Sequence, residues 1–161
     1  GSLALASFVL VHEGDAARVV RWARALAHAS GSCLRGARVS IVRKFSTEAA
    51  KEIPDGSRDV VYVDAAHDMA SLTADLAAWT PKVRAGGIVS GHDFAKHRWP
   101  NQIHVTQALR AWTDAYEIAP WFLLGSKEKV PGQIRDDGRS FFWIHQPRSK
   151  WMKGSAKPIK Q

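Results

Sequence analysis

Val60-Val61-Tyr62-Val63-Asp64-Ala65-Ala66-His67-Asp68 decides the fold. The first four residues form an unbroken apolar run, β-branched or aromatic throughout. That is the pattern of a strand buried on both faces of a parallel sheet, not of a strand with one wet face. Polar chemistry follows at once. Asp68 then stands where a helix cap belongs, ahead of Met69, Leu72, Leu76 and Trp79 at steps of three and four. A short carboxylate there accepts the free N–H groups of a first helical turn, and the spacing gives the helix one apolar stripe.

The same alternation extends outward in both directions. Phe8–Val11, Val39–Val42 and Ile88–Ser90 are three further candidate strands. Helical patterns run over 16–29, with Val19, Val20, Ala23, Leu26 and Ala27 on one face, and over 103–116, with Val105, Leu109 and Trp112. Gly31, Gly36 and the pair Gly86-Gly87 punctuate the ends. Strand and helix in alternation predict an open, mostly parallel α/β sheet. The last third differs. Trp121–Leu124 and Phe141–His145 read as two strands with no helix between them, only a long turn holding Pro131-Gly132 and Asp136-Asp137-Gly138. An antiparallel pair at the sheet edge is expected. The α/β domain is thus assigned to 1–146 and a basic tail to 147–161.

The 161 residues suit one domain, and 45% hydrophobic with 24% charged is ordinary globular composition. No apolar run approaches the ~20 residues of a membrane helix. Leu3 to Val11 lacks a basic flank and does not read as a secretory signal, so a cytoplasmic protein without a membrane span is expected. A lone cysteine, Cys33, excludes an internal disulfide and zinc-finger spacing. The net charge is +8, but Arg148, Lys150, Lys153, Lys157 and Lys160 supply five cations after Pro147 with no acid among them. Without that tail the chain carries +3, so the basic character belongs to the tail. A solvated end is the plain reading, and phosphate contact the functional one.

Ligands of open α/β sheets sit beyond the carboxyl ends of the strands. Here those ends read His12-Glu13-Gly14-Asp15, Arg43-Lys44, Asp64-Ala65-Ala66-His67-Asp68 and Gly91-His92-Asp93-Phe94. Three of the four offer acid or imidazole to one rim. Hard divalent cations take carboxylate oxygen, so Asp64 and Asp93 are candidate ligands of Mg²⁺ or Mn²⁺, with His92 or a water beside them. His67 is a candidate general base. Taken singly, Asp64 and Asp68 are also explained by helix capping, and either histidine by a loop hydrogen bond.

Together these segments resemble class I S-adenosylmethionine-dependent methyltransferases, in particular the small-molecule, metal-assisted O-methyltransferase group. The resemblance is carried by Val60 to His67, by Asp75-Leu76 and Trp79, and by Pro81-Lys82-Val83-Arg84-Ala85-Gly86-Gly87-Ile88-Val89-Ser90-Gly91-His92-Asp93-Phe94. Phe45 to Ala50 and Pro54 to Asp59 fit the same pattern. It is specific over about 38–95 and fades into compatible elements up to 146. It implies a Rossmann-like, seven-stranded sheet with a reversed final hairpin, and S-adenosylmethionine as cofactor. It implies Asp64, His92 and Asp93 as metal ligands and His67 as the base that takes the acceptor hydroxyl proton. Glu13 and Asp64 are the implied donor-binding acids, Glu13 gripping the ribose hydroxyls. His92 departs from a position often acidic in relatives, and imidazole is a poorer Mg²⁺ ligand. The residues before Phe8 leave no room for the family's first strand and its glycine-rich donor turn, so an N-terminally truncated sheet is expected.

The implied partner is a small hydroxylated acceptor, with Phe94 and Trp99 as walls of its pocket and Trp121 as core. Two other function classes stay open. One is a degenerate, non-enzymatic methyltransferase fold kept for binding or as a scaffold. The other is a nucleic-acid module that uses the basic tail with Lys96, His97, Arg98 and Trp99. The parallel edge near Phe8 to Val11 calls for a cover, either a second copy of the chain or another partner.

Overall fold

A computed structural model of the chain describes residues 8–12 (backbone only), 42–95, 103–126, 128, 131, 136 and 138–146. Its strands are β1 (Phe8–His12), β2 (Arg58–Asp64), β3 (Val83–Gly91), β4 (Trp121–Leu124) and β5 (Ser140–Ile144). Its helices are α1 (Ser46–Lys51), α2 (Met69–Trp79) and α3 (Val105–Ala115). The strands form one sheet in the order β1-β2-β3-β5-β4. β1, β2 and β3 run parallel, and β5 lies antiparallel to both β3 and β4. The α/β sheet and the antiparallel pair at its edge are therefore as the pattern predicts. β1 pairs directly with β2, Val11 opposite Val63 and His12 opposite Asp64, with no strand between them.

Register explains where the core sits. Val61 stands opposite Val89, Val89 opposite Trp143, and Trp143 opposite Trp121. Side chains alternate across a strand, so this row and its neighbours Val63, Phe141 and Leu123 share one sheet face. Leu72, Leu76 and Trp79 of α2 and Leu109 and Trp112 of α3 are buried in the same cluster. Gly91 is needed for this packing: a Cβ there would lie 2.4 Å from the Phe141 ring and 2.5 Å from the Val63 carbonyl oxygen.

The helix termini follow from the sequence. The Asp68 carboxylate accepts from the N–H groups of Ala70 and Ser71, both at 3.0 Å, and opens α2. These bonds, that of Ser71 foremost, hold its pKa below the usual carboxylate range. α1 was not evident from periodicity, being only six residues long. It is held from outside, because Trp79 Nε1 donates to Ser46 Oγ at 2.8 Å.

Two expectations fare differently. Val42, the end of the expected strand Val39–Val42, lies outside any strand and is 54% exposed, while 39–41 lie outside the described residues. Phe94, expected to wall a pocket, is 5% exposed and packs in the core against Trp121 at a ring-centroid distance of 5.5 Å. Its aromatic surface is spent on packing. The helical pattern over 16–29, Trp99 with its basic neighbours, and the tail after Pro147 lie outside the described residues. Among the described residues no helix is long and apolar enough to cross a membrane.

Candidate functional site

β2 and β3 are parallel neighbours, so their carboxyl ends open on the same rim. β2 ends at Asp64, and the turn into α2 brings His67 back toward it. β3 ends at Gly91, and Asp93 follows with φ 62, a left-handed conformation uncommon outside glycine. Sparsely populated backbone of this kind persists where surrounding contacts over-determine it. One such contact is the Phe94 N–H donating to the Arg139 carbonyl at 3.1 Å.

The result is a compact group. One ligand atom each from Asp64, His67 and Asp93 lies within 4.8 Å of the other two. His67 Nε2 is 2.9 Å from Asp93 Oδ2 and 3.9 Å from Asp64 Oδ1. That nitrogen is shielded from solvent and yet has no aligned hydrogen bond. The approach to Asp93 is thus short in distance without being aligned as a hydrogen bond. A shielded ring nitrogen without an aligned partner, facing two carboxylates, is chemically able to bind a cation or to accept a proton. The His67 backbone is braced as well, its carbonyl accepting from the His104 N–H at 2.8 Å.

His92 stands apart from this group. Its Nδ1 is 3.4 Å from Asp93 Oδ2, and its Nε2 is 3.1 Å from Asp136 Oδ1. The Asp93 hydrogen bond, with the charges of Asp93 and Asp136, outweighs burial and raises its pKa from 6.5 to about 9. The same bond lowers Asp93. Both His92 nitrogens are thus turned to carboxylates, Nδ1 to Asp93 and Nε2 to Asp136. The structure therefore gathers Asp64, His67 and Asp93 of the expected set and places His92 behind them. Glu13, the expected ribose-binding acid, lies outside the described residues.

Asp136 was legible only as part of a turn. It belongs to the connection between β4 and β5, which folds back to the rim. Its backbone N–H donates to the Ser126 carbonyl at 3.0 Å, and its Oδ1 accepts from the Gly138 N–H at 3.1 Å. Gly138 lies so close to the rim that a Cβ would meet His92 Cε1 at 2.5 Å and Asp93 Oδ1 at 2.9 Å. The Asp-x-Gly spacing was the available signal, since Asp turns and glycine permit close backbone approach.

The chain belongs to the methyltransferase domain family, whose model matches residues 4–94. Two solved structures with TM-scores above 0.5 agree on the fold. A SAM-dependent methyltransferase from Archaeoglobus fulgidus superposes with TM-score 0.53 at 9% identity, covering 85% of each chain. A spermidine synthase in complex with the transition state analogue AdoDATO gives TM-score 0.53 at 14% identity, over 88% of this chain and 47% of that one. A Corynebacterium glutamicum protein gives TM-score 0.49 at 15% identity, over 89% of this chain and 62% of its own. The chain thus spans less than two thirds of two of these three relatives. No curated relative matches it in sequence.

Proposed function

We propose that the protein transfers a methyl group from S-adenosylmethionine to a hydroxyl of a small molecule with the help of a divalent cation, Mg²⁺ or Mn²⁺. The observation that carries this reading is the convergence of Asp64, His67 and Asp93 at the ends of adjacent parallel strands. Membership of the methyltransferase family supports the donor, as do the SAM dependence named for one structural neighbour and the analogue AdoDATO named for another.

The donor set fits the cation: two carboxylate oxygens at one rim, beside a ring nitrogen without a bonded partner. Asp64 and Asp93 would hold it, and Mg²⁺ characteristically takes one or two protein carboxylates and fills its remaining positions with water or substrate oxygen. A cation there lowers the pKa of an acceptor hydroxyl, and S-adenosylmethionine supplies an electrophilic methyl on sulfonium sulfur. His67 accepts the hydroxyl proton at Nε2. A neutral imidazole suits that task near pH 7. Asp64, His67 and Asp93 would orient the acceptor hydroxyl at the rim, and positioning of this kind supplies much of the rate of such transfers.

Calorimetry with S-adenosylmethionine and S-adenosylhomocysteine, with and without Mg²⁺, tests donor binding. Absence of heat for both ligands removes the enzymatic reading. Given turnover on a hydroxylated acceptor, His67→Ala lowers the rate by ~10²–10⁴ while Mn²⁺ affinity and melting temperature change little. Full activity in that variant excludes the base. A large loss of Mn²⁺ affinity makes His67 a ligand instead.

A further inference from the structure

The connection between β4 and β5 shares no strand with the candidate cation site, yet three of its residues are tied to it. Asp136 faces His92 Nε2 with both carboxylate oxygens, at 3.1 and 3.2 Å. His92 turns its other nitrogen to Asp93 Oδ2 at 3.4 Å. Gly138 packs its backbone against His92 and Asp93 where no side chain would fit. Arg139 accepts from the N–H that follows Asp93. Asp93 itself holds a left-handed backbone with φ 62, which its own preferences do not secure.

We infer that Asp136 is a positioning residue: it fixes the His92 ring, and His92 in turn holds the Asp93 carboxylate in the orientation that lets it share a cation with Asp64. This rests on the cation reading proposed above. Three observations on different parts of the loop converge on it. The carboxylate supplies direction, because an imidazole bonded at one nitrogen only can still swing about its side-chain torsions. The Asp136 carboxylate is itself held by the Gly138 N–H, so it does not drift with the loop. The missing Cβ at residue 138 lets the loop sit against the ring and the ligand together. Outer partners of this kind orient a metal's direct ligands, and their loss characteristically costs ~10–100-fold in metal affinity.

The test is Mn²⁺ binding to the full chain, read from the electron paramagnetic resonance signal of free Mn²⁺, with circular dichroism melting of each metal-free variant. Asp93→Asn is expected to abolish binding. Asp136→Asn keeps the size of the side chain and the acceptor for Gly138 but removes the charge, and Asp136→Ala removes both. Each is expected to weaken Mn²⁺ by ~10–100-fold. His92→Asn keeps a donor near the Nδ1 position and loses the reach to Asp136. It is expected to show the same loss, and it replaces Asp136→Asn if that variant does not fold. Mn²⁺ affinity in Asp136→Asn equal to that of the parent overturns the positioning role. So does a loss in Asp136→Ala that Asp136→Asn fully restores, since only loop shape would then matter. A parent chain that takes up no Mn²⁺ overturns the cation reading and the positioning role with it.

Discussion

His92 connects acid–base chemistry to stability at the level of a single residue. Its pKa is raised from 6.5 to about 9, chiefly by the hydrogen bond to Asp93. A base that is more easily protonated when folded stabilises the fold most below its unfolded pKa, and the gain disappears as pH rises through the folded value. The contribution is therefore complete below pH 6.5 and gone above about 9. Asp93 sets the acid limit in the opposite sense: its pKa lies below 3.8, so its part is present above that value and fades as pH falls through the folded one. His145 is buried, and burial lowers its pKa, so it favours unfolding as pH drops below 6.5. That last effect is common to parent and variant and cancels in a comparison. In the metal-free protein, the melting-temperature gap between the parent and His92→Gln should shrink steadily between pH 6.5 and 9.5. A gap independent of pH would show that His92 acts by packing alone.

Helix α2 links the buried core to the rim. Leu72, Leu76 and Trp79 anchor it under the sheet, while its first turn follows directly on His67. Asp68 satisfies two N–H groups at that turn. Replacing such a cap by alanine leaves those two N–H groups without their side-chain acceptor and destabilises the helix start. Asp68→Ala should lower the urea midpoint correspondingly with an unchanged m-value, because the surface exposed on unfolding stays the same. An unchanged urea midpoint would show that packing of Leu72 and Leu76 alone holds the helix start. The prediction belongs to the element, since the cap touches neither core nor cation site.

For the molecule as a whole, the proposed cation would tie β2 to β3, two strands that already pair, and binding to the folded state alone stabilises by mass action. At one hundred times Kd this amounts to about 2.7 kcal/mol. Millimolar Mn²⁺ or Mg²⁺ should therefore raise the melting temperature of the parent chain, and Asp93→Asn should abolish the rise while retaining the fold. An unchanged melting temperature in both metals would count against a shared cation.

The sequence by itself determined the strand-and-helix alternation, because a double-sided apolar run such as Val60–Val63 and a helical stripe such as Met69–Trp79 are local patterns with local physical causes. It also determined the candidates Asp64, His67 and Asp93, since a polar group just after a buried strand has only the rim to occupy. Strand pairing was beyond it. That β1 lies directly against β2, and that β5 rather than β4 pairs with β3, follows from contacts between distant segments that no periodicity encodes. The division of labour between the two histidines was likewise tertiary. His67 and His92 read alike as imidazoles beside an acid. Only the return of the β4–β5 connection, bringing Asp136 and Gly138 against His92, set one ring between Asp93 and Asp136 and left the other facing Asp64 and Asp93.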